Sequence, residues 1–261
     1  MNKKKKWGYP IFLAIKWTVW LFHAKMKVYG KANLPENEAV ILVGNHSHMS
    51  GPICSEIYLK HSLTWCAGEM MNTPDVPAYA YRDFWAEKPK ALRPFYKALS
   101  YIIAPISDFV FNRADTIPVY HDSRILTTFR TTMSALNEGQ SIVIFPEHDK
   151  PRNNIICDFQ DKFIDIARLY AARYGKELLF VPIYIAPRLN GIFIGEGVRY
   201  DRNAEPSEER ARICEYLMDG VTAIARSLPE HTVLPYKNVA KRYYPKNTDY
   251  EREVTNEKAR G

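Results

Sequence analysis

The chain has 261 residues, 46% of them hydrophobic, a length that can bury one sizeable core. Its four cysteines stand far apart without a CxxC pair, which argues against a disulfide framework or a cysteine zinc site and favours a reducing compartment. The chain contains no internal repeat and no Gly/Ser linker, so we predict one compact domain.

The net charge of +7 arises entirely at the N-terminus. Residues 1–30 hold seven lysines and no acidic residue, so the remaining 29 Lys and Arg balance the 29 Asp and Glu of the chain. Three of the five tryptophans lie in the same segment. Its apolar run, residues 10–22, is interrupted by Lys16 and is shorter than the roughly 20 residues of a spanning helix.

We therefore predict that residues 1–27 form a basic, aromatic helix in the membrane interface. Attachment would be peripheral or monotopic, on the cytoplasmic face of the cell membrane. An amphipathic helix packed on the domain and a cleaved signal sequence are the alternatives, and no small-x-small cleavage site supports the second. Nucleic acid is a poorer partner, because the basic residues lie beside an apolar face and no nucleic-acid module is present.

Short apolar runs alternate with helical patterns along the chain. We predict strands at residues 39–44, 63–67, 117–120, 141–145, 178–185 and 192–200. We predict helices at residues 52–60, from Asp122 to a C-cap at Gly139, at 159–175 and at 207–228. This alternation predicts an α/β fold with a mostly parallel central sheet flanked by helices, whose ligands gather at the C-terminal ends of the strands.

Two segments leave their role open. Residues 70–112 are broken by five prolines, but the apolar residues of 95–110 recur at helical spacing. This stripe predicts core packing, a second membrane contact or one wall of an acyl-chain groove. Residues 236–261 are polar and are predicted to be a loosely held tail.

Polar loops follow two of the predicted strands. The first holds Asn45, His46, Ser47 and His48, and the second holds Glu147, His148, Asp149, Lys150 and Arg152. A neutral histidine in such a loop can take a proton from a hydroxyl, because the ordinary pKa of histidine is near 6.5. A structural or merely exposed histidine is the alternative.

These loops resemble motifs of the PlsC-type lysophospholipid acyltransferases, a family that includes 1-acylglycerol-3-phosphate acyltransferase. Residues 45–50 are similar to the family's NHxxxxD motif, residues 145–147 to its FPEGTR motif and residues 181–183 to its VPI strand. Order, spacing and strand context agree over residues 28–200. Residues 28–235 are accordingly predicted to be an acyltransferase domain.

The resemblance implies transfer of a fatty acyl group from acyl-CoA or acyl carrier protein to the hydroxyl of a lysophospholipid, as in phospholipid biosynthesis. His46 would be the general base, with no metal and no other cofactor. The implied substrate contacts are Asn45, Ser47, His48, Glu147, His121, Arg124, Lys150 and Arg152. Arg124 is the first choice for an acceptor phosphate, because it stands near a predicted helix N-terminus.

The sequence departs from the family at the acid that orients the base. Gly51 stands where the motif has aspartate, and Asp149 is the predicted replacement. Loss of an orienting carboxylate lowers the rate by about 10⁴ in the serine-protease triad. Two alternatives follow: a non-catalytic lipid-binding relative, which Gly51 favours, and a metal-dependent hydrolase built from His46, His48, His121, His148 and Asp149.

Overall fold

The computed structural model describes residues 8–85, 89–120, 122–236 and 239–249. Its strands are β1 (Lys27–Tyr29), β2 (Ile41–Gly44), β3 (Ser62–Ala67), β4 (Thr116–Val119), β5 (Ser141–Ile144), β6 (Glu147–Pro151), β7 (Cys157–Phe159), β8 (Leu179–Ala186), β9 (Gly191–Ile194) and β10 (Val198–Arg199). Its α-helices are α1 (Tyr9–Phe22), α2 (Ser50–Tyr58), α3 (Val76–Ala80), α4 (Arg93–Phe111), α5 (Ile125–Asn137), α6 (Asp165–Tyr174) and α7 (Pro206–Ser227).

The chain divides into two compact units. Unit 1 comprises Met1–His23 and Leu63–Thr132, and unit 2 comprises Ala24–Ser62 and Met133–Gly261. The predicted N-terminal helix thus belongs to the same unit as the middle of the chain. The composition of the sequence does not indicate this division into units.

Unit 2 is built on a mostly parallel sheet with the strand order β1-β9-β8-β2-β5. β2 is parallel to both β8 and β5, and β1 is parallel to β9. β9 and β10 run antiparallel to β8. With α2 and α7 packed against β8, this arrangement confirms the mixed α/β fold with a mostly parallel sheet flanked by helices.

The core of unit 2 explains why its strands are apolar throughout. Every residue of β2 is buried, because the strand has a neighbour on each side and is covered on both faces. On α7, the buried residues Ile213, Leu217 and Val221 repeat every four positions and form its inward stripe. The loop after β2 therefore starts from a rigid, fully buried strand.

α6 shows where helical spacing was only partly informative. The helix ends at Gly175, whose φ of 69° is that of a left-handed C-cap, as predicted. Phe159, which the same pattern assigned to this helix, lies instead in β7 and pairs with Glu147 of β6. A short 3-10 helix, Asp161–Ile164, separates the two elements.

Unit 1 holds the parallel strands β3 and β4 and the 19-residue helix α4. The face of α4 that turns inward is small, with Ser100 and Ala104 fully buried. The side chains of Phe95, Ile102 and Ile106 are instead 63%, 65% and 57% exposed. The apolar stripe predicted for this segment therefore faces outward and does not form the core.

α1 also presents large apolar side chains to solvent. Phe12 is buried, whereas Trp17 and Phe22 are exposed. Its first turn packs against α4, since a Cβ at Gly8 would lie 2.8 Å from the ring of Phe109. Within the described residues, no helix combines the length and apolar character needed to cross a bilayer.

Candidate functional site

The loop after β2 is fastened to β8 by two buried side chains. Asn45 accepts the N–H of Ile185 on Oδ1 at 2.7 Å and donates from Nδ2 to the carbonyl of Ile185 at 3.0 Å. Asn45 Nδ2 also donates to Ser47 Oγ at 2.7 Å, and Ser47 Oγ donates to the same Ile185 carbonyl at 3.2 Å. The polar atoms of both side chains have hydrogen-bond partners inside the protein, so we assign both residues to holding the loop. The sequence had predicted both as substrate contacts.

The loop itself is a strained turn. Ser47 and His48 have φ angles of 45° and 54°, a left-handed conformation that non-glycine residues rarely adopt. The turn is closed by the N–H of Ser50 donating to Ser47 and the N–H of Gly51 donating to His46, each at 3.1 Å. Interactions of the His46 ring with the backbone of His48 and of His46 itself raise the pKa of the ring, and burial acts in the opposite direction.

Gly51 is required by the turn. A Cβ at this position would lie 2.4 Å from the carbonyl oxygen of His46, well inside van der Waals contact. An aspartate therefore does not fit here without a change in the loop.

The ring of His46 is partly buried between two aromatic rings. Its ring meets the edge of Phe145 at 5.5 Å and of Tyr236 at 5.9 Å between centroids. Burial is the main cause that lowers the pKa of His46, with a further lowering from the charge of His48, while the backbone hydrogen bonds act in the opposite direction. A lowered pKa keeps the ring neutral near pH 7 and able to accept a proton.

Glu147 holds the backbone of His46 in place. This buried carboxylate accepts the N–H of His46 on Oε1 at 2.6 Å and the N–H of Cys157 on Oε2 at 2.9 Å. Burial raises the pKa of Glu147 to about 7, although the two hydrogen bonds lower it. The sequence predicted Glu147 as a substrate contact; in the structure, its carboxylate is occupied by two backbone N–H groups.

His48 lies in the same loop as His46, and a residue of the C-terminal segment contacts its ring. Its ring meets the edge of Tyr244 at 5.8 Å between centroids, and a hydrogen bond to the carbonyl of Pro235 raises its pKa, while burial, the larger effect, lowers it. Nε2 of His48 is buried and has no hydrogen-bond partner among the described residues. The substrate contact predicted for His48 stays a prediction.

The remaining polar residues of the second loop face other partners. Asp149 is exposed on β6, and the charge that acts on the ring of His46 is that of His48. Lys150 pairs with Asp158 at 3.0 Å, and Arg152 pairs with two carboxylates of α7, Glu215 and Asp219. The cations are thus compensated within the protein. A catalytic part for Asp149 and substrate contacts for Lys150 and Arg152 remain predictions without geometric support.

Arg124 belongs to unit 1 and is also paired. Its guanidinium forms a bidentate ion pair with Asp122 and lies 4.1 Å from the centre of the Tyr120 ring. With Tyr120 it lines a cavity of about 420 Å³ in that unit. His121, the other residue predicted near the acceptor phosphate, lies outside the described residues.

The described part of the chain contains no group of three or more His, Cys, Asp or Glu residues close enough to hold a metal ion. His148, a ligand in the metal-site alternative, accepts the N–H of Lys150 on Nδ1 at 3.3 Å.

Two aromatic residues of the C-terminal segment contact His46 and His48 and were not predicted from the sequence. Tyr236 and Tyr244 lie in what was predicted to be a loose polar tail. The signal that could have found them is their aromatic character in a segment that is otherwise polar, because tyrosine is typical of surfaces with one apolar and one wet side.

Comparison with known proteins finds similarity among solved structures. No protein-family profile and no curated protein match the chain. Among solved structures, it is similar to the crystal structure of the 1-acyl-sn-glycerophosphate acyltransferase PlsC from Thermotoga maritima, with a TM-score of 0.44 and 19% sequence identity. The alignment covers 85% of this chain and 78% of that chain. An identity this low does not identify the reaction.

The raised pKa of Glu147 predicts that the free energy of unfolding depends on pH. Since the folded pKa of about 7 lies above the ordinary value of 4.5, the folded state retains a proton that the unfolded state releases between these values. The free energy of unfolding of the wild type, relative to Glu147→Gln, should therefore fall as pH rises from 5 to 7. One proton limits the slope to about 1.4 kcal/mol per pH unit. Denaturant titrations at several pH values measure it.

The matched control is Glu208→Gln, a change on the exposed side of α7. A difference between wild type and Glu147→Gln that stays constant from pH 5 to 7 would contradict the raised pKa.

Proposed function

We propose that the protein is a glycerolipid acyltransferase that moves a fatty acyl group from acyl-CoA or acyl carrier protein to the hydroxyl of a lysophospholipid of the 1-acylglycerol-3-phosphate type. The observation that carries the proposal is the placement of His46. It stands at the C-terminal end of a central parallel strand, where α/β sheets bind ligands, with its backbone held by Glu147 and its ring flanked by Phe145 and Tyr236. His46, Phe145 and Glu147 also carry the motif resemblance.

The reaction needs one base and no covalent enzyme intermediate. His46 takes the proton of the acceptor hydroxyl while that oxygen attacks the thioester carbonyl carbon. A carbon–oxygen bond forms, the carbon–sulfur bond breaks, and the imidazolium returns its proton to the leaving thiolate. The products are the acylated lipid and a free thiol, and binding both substrates at one site supplies most of the remaining acceleration.

The acceptor would meet His48 and a cationic side chain. The buried and unpartnered Nε2 of His48 could take a hydrogen bond from a glycerol hydroxyl. An acceptor phosphate would have to draw Arg124 or Arg152 from its present carboxylate partner, which costs part of the charge-assisted bond already made.

Gly51 favours one second candidate, a lipid-binding relative that does not catalyse transfer. A carbonyl can orient the ring, but it carries no charge to balance the imidazolium. If no donor and no acceptor supports transfer by the folded wild type, this second candidate is the better account.

We also propose that the protein works at the cytoplasmic membrane surface, in contact with lipid through unit 1. α4 turns a stripe of apolar side chains outward, and α1 adds exposed tryptophan and phenylalanine. Lys90, Arg93 and Lys97 are exposed beside the stripe, and residues 88–107 contain no acidic residue. An apolar face with a basic border fits an anionic bilayer interface.

The base is tested by acyl transfer from labelled acyl-CoA or acyl carrier protein to lysophosphatidate. His46→Ala should lower the rate by about 10²–10⁴, the usual contribution of a general base. His148→Ala is the matched control and should retain transfer, whereas a metal-dependent mechanism built on that residue would lose it. Undiminished transfer by His46→Ala would refute the mechanism.

One further variant separates the two possible groups that orient the base. If a backbone carbonyl orients His46, the Asp149→Asn variant keeps the turnover of the wild type. A large loss in this variant would return the orienting part to Asp149, as the sequence predicted.

The membrane surface is tested by cosedimentation with anionic phospholipid vesicles. Ile102→Ser and Ile106→Ser together should weaken binding at least tenfold, since burying each side chain contributes about 1.5–3 kcal/mol. Their exposure leaves folding intact. Leu126→Ser on α5, where the side chain is 56% exposed, is the matched control and should bind like wild type. Equal binding by all three proteins would contradict the assignment.

A further inference from the structure

Two stretches of the C-terminal segment, residues 231–233 and 245–247, are hydrogen-bonded to each other, and we call this pairing the clasp. Thr232 and Lys246 form an antiparallel bridge, and the N–H of Val233 donates to Pro245 at 2.8 Å. The backbone and side chain of Asn247 complete the clasp: its N–H donates to the carbonyl of His231 at 3.1 Å, and its Oδ1 accepts the N–H of His231 at 2.9 Å. These hydrogen bonds tie residues 231–233 to residues 245–247.

The clasp is anchored in the buried interior. Asn247 is buried and donates from Nδ2 to the carbonyls of Ala225 and Leu228, at the C-terminal end of α7. His231 is also buried, with Nδ1 2.8 Å from the carbonyl of Pro229. A carbonyl only accepts, so Nδ1 carries the proton and Nε2 accepts from the hydroxyl of Tyr184 on β8 at 2.8 Å.

Two tyrosines of the C-terminal segment, Tyr236 and Tyr244, contact the two histidines of the candidate site. Tyr236 meets the ring of His46 edge-on, at an interplanar angle of 78°, and Tyr244 meets the ring of His48 at 62°. Pro235 accepts a hydrogen bond from the ring of His48. These contacts join the C-terminal segment to the two histidines of the candidate site.

We infer that residues 229–236 and 239–249 form a cover over the histidine loop, with Tyr236 and Tyr244 as positioning residues that hold the rings of His46 and His48 and exclude water. The inference rests on the proposed function for what the cover protects. A thioester beside a base is open to attack by water, which would release a free fatty acid in place of the acylated lipid. An aromatic wall that excludes water protects the acyl group and keeps the base neutral.

The cover is tested on the full chain by NMR titration of the histidine rings, with signals assigned from His46→Ala and His48→Ala. In Tyr236→Ala, water should reach the ring and the pKa of His46 should rise toward 6.5, whereas Tyr236→Phe should titrate like wild type. Tyr244→Ala should shift His48 in the same direction. A purely structural part for the tyrosines would leave these titrations unchanged.

Tyr243→Ala is the matched control, because Tyr243 lies in the same segment with its side chain 64% exposed. Unchanged amide shifts of His231 and Asn247 establish that the clasp stays closed in each variant. Identical His46 titration in Tyr236→Ala and Tyr243→Ala would overturn the cover.

An activity measurement separates this inference from the proposed function. If the wild type transfers acyl groups, Tyr236→Ala should release more free fatty acid per acyl group transferred than Tyr243→Ala does. An unchanged ratio would overturn the protective part of the cover. A shifted titration in a protein that transfers no acyl group would refute the acyltransferase proposal while leaving the cover over the histidines in place.

Discussion

The site depends on one buried carboxylate that bridges two backbone N–H groups. Glu147 joins the loop after β2 to the start of β7, through the N–H of His46 and the N–H of Cys157. Removing it would leave two donors in a buried region, at a cost of about 1–3 kcal/mol for each unsatisfied group. The position of His46 relative to the strands therefore rests on a side chain that needs no contact with substrate.

A carbonyl in place of an acid changes the size of the expected effect. A hydrogen bond to a charged group contributes about 1.5–3 kcal/mol and a neutral one about 0.5–1.5 kcal/mol. The difference, of order 1 kcal/mol, corresponds to a rate factor of roughly ten. This is far smaller than the factor of about 10⁴ for losing the orienting group altogether. In the proposed reaction, a backbone carbonyl that orients His46 would thus make Gly51 compatible with a slower enzyme.

Local patterns in the sequence predicted the scaffold because they depend on near neighbours. The apolar runs gave β2, β5 and β8, and the four-residue spacing gave α7. The roles of Asn45 and Ser47 were not predictable, because their partner, Ile185, lies about 140 residues away along the chain. The left-handed turn was equally hidden, since neither of its two strained residues is glycine.

The direction in which a side-chain face points was the second unpredictable feature. Helical spacing found the stripe of α4 but could not tell an outward face from a core face, and the small size of the opposite face is what settles it. The C-terminal cover has no periodicity at all. Its position follows from Asn247 and His231, whose buried partners belong to α7 and β8.

The central claim, that His46 faces the acceptor hydroxyl from a loop held by Glu147, is tested most directly by an experimental structure with lysophosphatidate bound and no acyl donor present. The account predicts the free hydroxyl oxygen within about 2.6–3.2 Å of a ring nitrogen of His46, with the Glu147 bridge intact. A bound lipid whose hydroxyl lies out of reach of His46, or faces Asp149 instead, would contradict it.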